Sequence, residues 1–139
     1  MKNPIIIDSS AFISLGTITD SNYKKATAIS SKMGEEDRTI VMPGEIFTEI
    51  VNVAGKKIGH KAAMDQANKI LSSKIVHIEE TTSLIRQSAL DKFNKQPKSV
   101  SFTDCLVMAL ADFYETKEIF GFDDVFRKNG YIRIGIDEK

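Results

Sequence analysis

The chain has 139 residues, 42% hydrophobic and 27% charged, and its 19 basic and 19 acidic side chains cancel to a formal net charge of zero. That length and apolar content suit one globular domain, expected to span residues 1–139, able to bury a core without disulfides or a structural metal. The lone Cys105 excludes a disulfide framework and a cysteine-rich zinc site, and the charge balance argues against coating nucleic acid by bulk charge.

A single thiol suits a reducing compartment, so a cytoplasmic setting is expected. No apolar run nears the ~20 residues of a membrane helix, and the opening MKNPIIIDSS is too short for a signal peptide. No repeat, low-complexity tract or linker divides the chain.

In chain order, Pro4 to Ile7 is a short β-branched run closed by Asp8-Ser9-Ser10, which predicts a buried strand feeding a helix with a polar first turn. Asp20-Ser21 can cap a second helix, with Tyr23, Ala26, Ile29 and Met33 at helical spacing and Gly34 to stop it. Thr39 to Met42 reads as a strand. Pro43 then suits the first turn of a helix bearing Ile46, Ile50 and Val53. A helix is expected from Gly59 to about Leu71, a strand over 74–78 and a helix over 81–95. Ser101 to Asp104 opens the most apolar helix, and the last two strands are expected over 118–122 and 131–134.

Strands alternating with helices imply crossover connections and a mostly parallel sheet. In such a sheet, ligands gather beyond the carboxyl ends of the strands. Two strands run into acids there, the first into Asp8 and the fourth into Asp123 and Asp124. Asp104 lies in the first turn of the most apolar helix. Glu45 and Glu49, four apart, share one helix face.

Converging carboxylates repel one another and resist ionisation. A hard divalent cation relieves that conflict, and an all-oxygen site without His or Cys points to phosphoryl chemistry. Each acid also has an ordinary reading: Asp8 as a helix cap, Asp104 as a first-turn acid, Glu49 as a solvated residue, Asp123-Asp124 as a turn. Spacing alone leaves both readings open.

The segments DSSAFISL, MPGEIFTEIVNV, SFTDCLVMALAD and FGFDDVF, in this order and at these distances, resemble the successive motifs of the PIN domain family over nearly the whole chain. The resemblance implies a three-layer α/β/α fold with a mostly parallel sheet and a metal-dependent nuclease site. Small single-domain members are most often VapC-type ribonuclease toxins of toxin–antitoxin pairs. Carried over by motif, the site acids are Asp8, Glu49, Asp104 and Asp123. Of these, Asp8, Asp104 and Asp123 would hold Mg²⁺ or Mn²⁺, and Ser10, Glu45 and Asp124 would support them. Glu45, an extra acid a turn before Glu49, is a second candidate to face the metal. Gly121 departs from the pattern, since many members carry Thr or Ser two places before the last acid.

The implied activity is hydrolysis of RNA phosphodiester bonds, with an antitoxin and a second copy of the chain as partners and no membrane. Lys56, Lys57, Lys61, Lys92, Lys95, Lys98, Arg127 and Lys128 flank the acids in sequence and are candidates to meet the RNA backbone. Two alternatives remain: a PIN nuclease in RNA processing without a toxin role, and a non-catalytic PIN-like binding module. A haloacid-dehalogenase-type phosphatase would need a second Asp where Ser10 stands, and no phosphate-cradling Gly-rich loop is present.

Overall fold

The computed structural model describes residues 3–137. Twelve elements follow in the order β1 (Ile5–Ile7), α1 (Ser9–Leu15), α2 (Tyr23–Glu35), β2 (Ile40–Pro43), α3 (Gly44–Lys57), α4 (His60–Ser72), β3 (Val76–Glu79), α5 (Ser83–Phe93), α6 (Phe102–Phe113), β4 (Glu118–Phe120), α7 (Asp124–Lys128) and β5 (Ile132–Arg133). The strands form one sheet in the order β3-β2-β1-β4-β5, with every pairing parallel. The fold is the three-layer α/β/α arrangement that the sequence resemblance implied.

Burial on both faces explains why the central strands β1 and β2 read as unbroken apolar runs. Ile5, Ile6 and Met42 are fully buried, as is Ile119. Right-handed crossovers put the two layers where they are. The chain steps from β1 to β2 to β3 in one direction, carrying α1 to α4 over one face. It then returns to β4 and β5 in the other direction, carrying α5 to α7 over the opposite face. α6, buried continuously from Cys105 to Ala111, packs on β1 and β2. The reversal falls between β1 and β4, which opens a crevice at their carboxyl ends. At the opposite edge the buried Arg38 guanidinium ties the sheet together, donating to the Asn3 carbonyl and to Glu118.

Several boundaries differ from the sequence expectation, each for a local reason. Gly34 lies inside α2 and does not end it. The chain reverses at Asp37, whose φ of 53° is left-handed, and the Arg38 amide returns to the Met33 carbonyl. Pro43 closes β2 and stands just outside α3. On α3 the buried positions are Ile46, Ile50 and Ala54, with Val53 half-exposed. β3 starts at Val76 because the Ser73 hydroxyl takes the Ile75 and Val76 amides into a turn. α5 is shorter than the 81–95 pattern, since Thr82 caps it by accepting from the Ile85 amide. β4 stops at Phe120, and the Phe122 amide bonds to the Ser10 hydroxyl in place of a strand partner.

Candidate active site

Asp8 leaves β1 at the crevice, and its amide donates to the Phe120 carbonyl of β4 at 2.9 Å. It stands at the N-cap position of α1, yet its side chain makes no capping bond. The residue is only 5% exposed, and its carboxylate accepts the Ser10 hydroxyl at 2.9 Å. Burial pushes its pKa up to about 6; the Ser10 bond opposes that shift, and the charge of Asp104 adds to it.

Asp104 reaches the same place from α6. It closes a capping box, with the Ser101 hydroxyl accepting from the Asp104 amide and the Asp104 carboxylate accepting from the Ser101 amide. Partial burial raises its pKa, the Ser101 bonds pull it back, and the charges of Asp123 and Glu49 raise it further. Glu49, in the second turn of α3, accepts the Ser9 hydroxyl of α1 at 2.5 Å. Asp123 caps the short α7 by accepting from the Val125 amide at 3.0 Å. Asp104 and Asp123 thus have both ordinary capping jobs and a place among mutually repelling charges, whereas Asp8 is buried without capping anything.

The neighbouring acids have partners of their own, Asp124 while lining the same groove as Asp104 and Asp123. Glu45 accepts the Thr81 hydroxyl at 2.7 Å, beside the loop that follows β3. Asp124 is gripped by Arg127 at 2.7 and 2.9 Å, with Lys128 at 3.5 Å and Arg133 at 3.6 Å. These cations hold its carboxyl below the usual range, the Arg127 bonds first.

The basic candidates also divide. Lys95 and Lys128 line a groove of about 420 Å³ that has Asp104 and Asp123 in its wall. Lys56 and Lys57 end α3, seven and eight residues past Glu49 and hence about 10–12 Å further along the axis. Lys61 lies on α4 beside Asp65 at 3.9 Å, and Lys98 is exposed in the loop before α6. Lys92 turns inward, pairing with Asp112 at 2.6 Å over the Tyr131 ring.

Four neighbours were not singled out as contributors from sequence. Ser101 was legible in principle, because S-x-x-D before an apolar run is a capping-box signature. Ser9 had no such signal, as its partner lies 40 residues away. Arg133 donates to the Phe122 carbonyl at 3.0 Å and to Asp137, fastening the chain just before Asp123. Gly121 is the fourth. A Cβ there would stand 2.9 Å from the Phe126 ring and 3.0 Å from the Asp8 Cβ, so the missing side chain is what lets β4 close on Asp8.

Among the described residues, no three acids surround a common point tightly enough to grip an ion as they stand. The donor chemistry nevertheless suits Mg²⁺, which keeps several waters and takes only one or two carboxylates directly. A buried Asp8 whose pKa is lifted by burial and by Asp104 is a carboxylate that a cation would stabilise in its ionised form.

Comparison with known proteins bears on the fold and the family. The backbone superimposes on the Mycobacterium tuberculosis VapC20 structure, described as a Sarcin-Ricin loop cleaving toxin, with a TM-score of 0.80 and 20% sequence identity. That match covers 94% of this chain and 98% of VapC20, and at this identity it speaks for the fold alone. No curated protein sequence matches the chain. The sequence profile of the PIN domain matches residues 5–130, from the first strand to beyond α7 and across all four motifs. The chain belongs to the PIN domain family.

Proposed function

We propose that this protein is a divalent-metal-dependent endoribonuclease, the toxin of a type II toxin–antitoxin pair, acting as one unit over residues 1–139 in the cytoplasm. The observation that carries this reading is the electrostatic coupling of Asp8, Glu49, Asp104 and Asp123 at the β1–β4 crevice, where burial and mutual repulsion raise the pKa of both Asp8 and Asp104. Membership of the PIN family and the VapC-like backbone support it.

Asp8, Asp104 and Asp123 would hold Mg²⁺ or Mn²⁺, directly or through water. When bound, the ion supplies Lewis acidity toward a phosphate oxygen and an attacking water. Glu49, fixed by Ser9, completes the cluster and orients that water. Ser10 keeps the Asp8 carboxylate in one orientation while taking the Phe122 amide. Lys95 and Lys128, which line the groove with Asp104 and Asp123, bring the RNA backbone to the acids.

A homodimer and an antitoxin whose basic side chain meets the acids complete the proposal. Exposed apolar side chains such as Ile58, Met64 and Leu84 offer area for such contacts. Among the described residues, no helix is long and apolar enough to cross a membrane.

The test is cleavage of a mixed RNA pool by purified protein with Mg²⁺ or Mn²⁺, beside a chelated sample and an Asp104→Asn variant. Metal-dependent cutting that falls by about two orders of magnitude in the variant is expected. RNA left equally intact in all three samples, with no antitoxin co-purified, would sink the nuclease reading.

A further inference from the structure

Of the four acids, Asp123 alone neither follows a strand directly nor lies inside a helix. β4 stops at Phe120 and α7 begins at Asp124, so Gly121 and Phe122 carry the chain to Asp123 outside any strand. Two side chains from other elements hold this stretch. The Ser10 hydroxyl of α1 accepts the Phe122 amide at 3.4 Å, and Arg133 of β5 donates from Nη1 to the Phe122 carbonyl at 3.0 Å. That carbonyl shares one planar peptide unit with the Asp123 amide, so Arg133 fixes the backbone right at the Asp123 Cα.

Arg133 is itself held in one orientation. Its side chain is only 14% exposed. Nε and Nη2 donate to the two carboxylate oxygens of Asp137 at 3.0 and 2.9 Å, and the Arg133 amide donates to the same carboxylate at 2.9 Å. This bidentate fork settles the plane of the guanidinium. The far end of the group then meets the Phe122 carbonyl and comes to 3.6 Å from the Asp124 carboxylate. Arg133 thus meets the residues on both sides of Asp123.

We propose that Arg133 is the positioning residue of Asp123, holding it where the acidic cluster takes up its divalent cation. The inference rests on the metal-dependent nuclease reading above. Partners that hold a metal-ligating side chain from outside set its geometry, and losing one weakens metal binding or activity by about 10–100-fold. The sign of the effect separates this role from others. A guanidinium near acids repels a cation, so by charge alone its removal would tighten metal binding. Loss of a positioning contact loosens it. A role in folding alone would lower the melting temperature and leave the affinity of the folded protein unchanged.

The experiment titrates Mn²⁺ alone into wild type, Arg133→Met and Arg133→Lys by calorimetry, below the melting temperature of each, with Asp104→Asn as the reference for a lost ligand. Arg133→Met keeps an apolar stem without the fork and should bind Mn²⁺ roughly tenfold more weakly than wild type. Arg133→Lys keeps the charge without the planar fork and should fall between the two. RNA cleavage by Arg133→Met should recover as Mn²⁺ is raised, with KM for RNA unchanged. Binding by Arg133→Met as tight as wild type, or tighter, would overturn the inference and leave the nuclease reading intact. If that variant does not fold, the same result in Arg133→Lys would overturn it. A wild-type protein that takes up no Mn²⁺ would overturn both.

Discussion

Burying Asp8 at the end of β1 makes the fold less stable wherever the carboxylate must ionise. Its pKa rises from 3.8 to about 6, so the unfolded chain ionises first as pH climbs. Stability contributed at low pH is therefore lost between about pH 4 and 6 and does not return above it. The loss is of order 1–3 kcal/mol. Asp8→Asn keeps an acceptor for Ser10 and removes the charge, so urea unfolding at pH 7.5 should show a gain of about 1–3 kcal/mol, with most of the pH 4–6 decline gone. An identical decline in both proteins would place its origin elsewhere. Gly121 stands on the other side of the same carboxylate. A methyl group there meets Phe126 and the Asp8 Cβ at about 3 Å, so Gly121→Ala should lower stability by roughly 1–3 kcal/mol in thermal or urea unfolding. A neutral substitution would mean the strand end can shift freely.

At the scale of elements, Asp104 and Asp123 are held by helix starts, whose free amides and dipoles favour negative charge. Asp104 is the clearest case. Its carboxylate takes the Ser101 amide while its own amide is taken by the Ser101 hydroxyl. An asparagine retains the carbonyl oxygen that this capping box needs, so Asp104→Asn tests charge at the site with little change to α6. That is why it is the variant chosen for the cleavage assay. The same local chemistry explains which boundaries were legible. Apolar periodicity and the Ser101 and Thr82 caps mark helices in the sequence. The end of α2 does not show, because Asp37 adopts a left-handed conformation that Gly34 was better suited to take.

Across the whole molecule, zero net charge hides a division of labour among lysines. Lys95 and Lys128 border the groove beside the acids. Lys92, close to Lys95 in sequence, instead joins Asp112 and Tyr131, linking α5, α6 and the start of β5. Asp112 also takes the Tyr131 hydroxyl at 2.7 Å, and burial with that bond raises the phenol's pKa well above its usual range. RNA binding measured against salt should therefore lose about 0.7 from the log–log slope for each of Lys95→Ala and Lys128→Ala. Lys92→Ala should leave the slope unchanged and lower the melting temperature. A reduced slope in Lys92→Ala, with full slopes in the other two, would reverse the assignment.

The sequence by itself determined the order of most strands and helices and the parallel sheet, while the four motif acids Asp8, Glu49, Asp104 and Asp123 were marked only by the resemblance to the PIN family. Order and sheet depend on hydrophobic period, on the residue that follows each strand, and on caps, all written within a few neighbouring positions. Only the tertiary structure decided what those acids touch. Ser9 meets Glu49 across 40 residues, Gln96 meets Asn129 across 33, and Phe122 meets Ser10 across 112. The inward turn of Lys92 and the empty Cβ position of Gly121 belong to the same class. Such pairings follow from how the two helix layers and the β1–β4 crevice pack. A side chain carries no local mark of a partner that only close packing brings within reach.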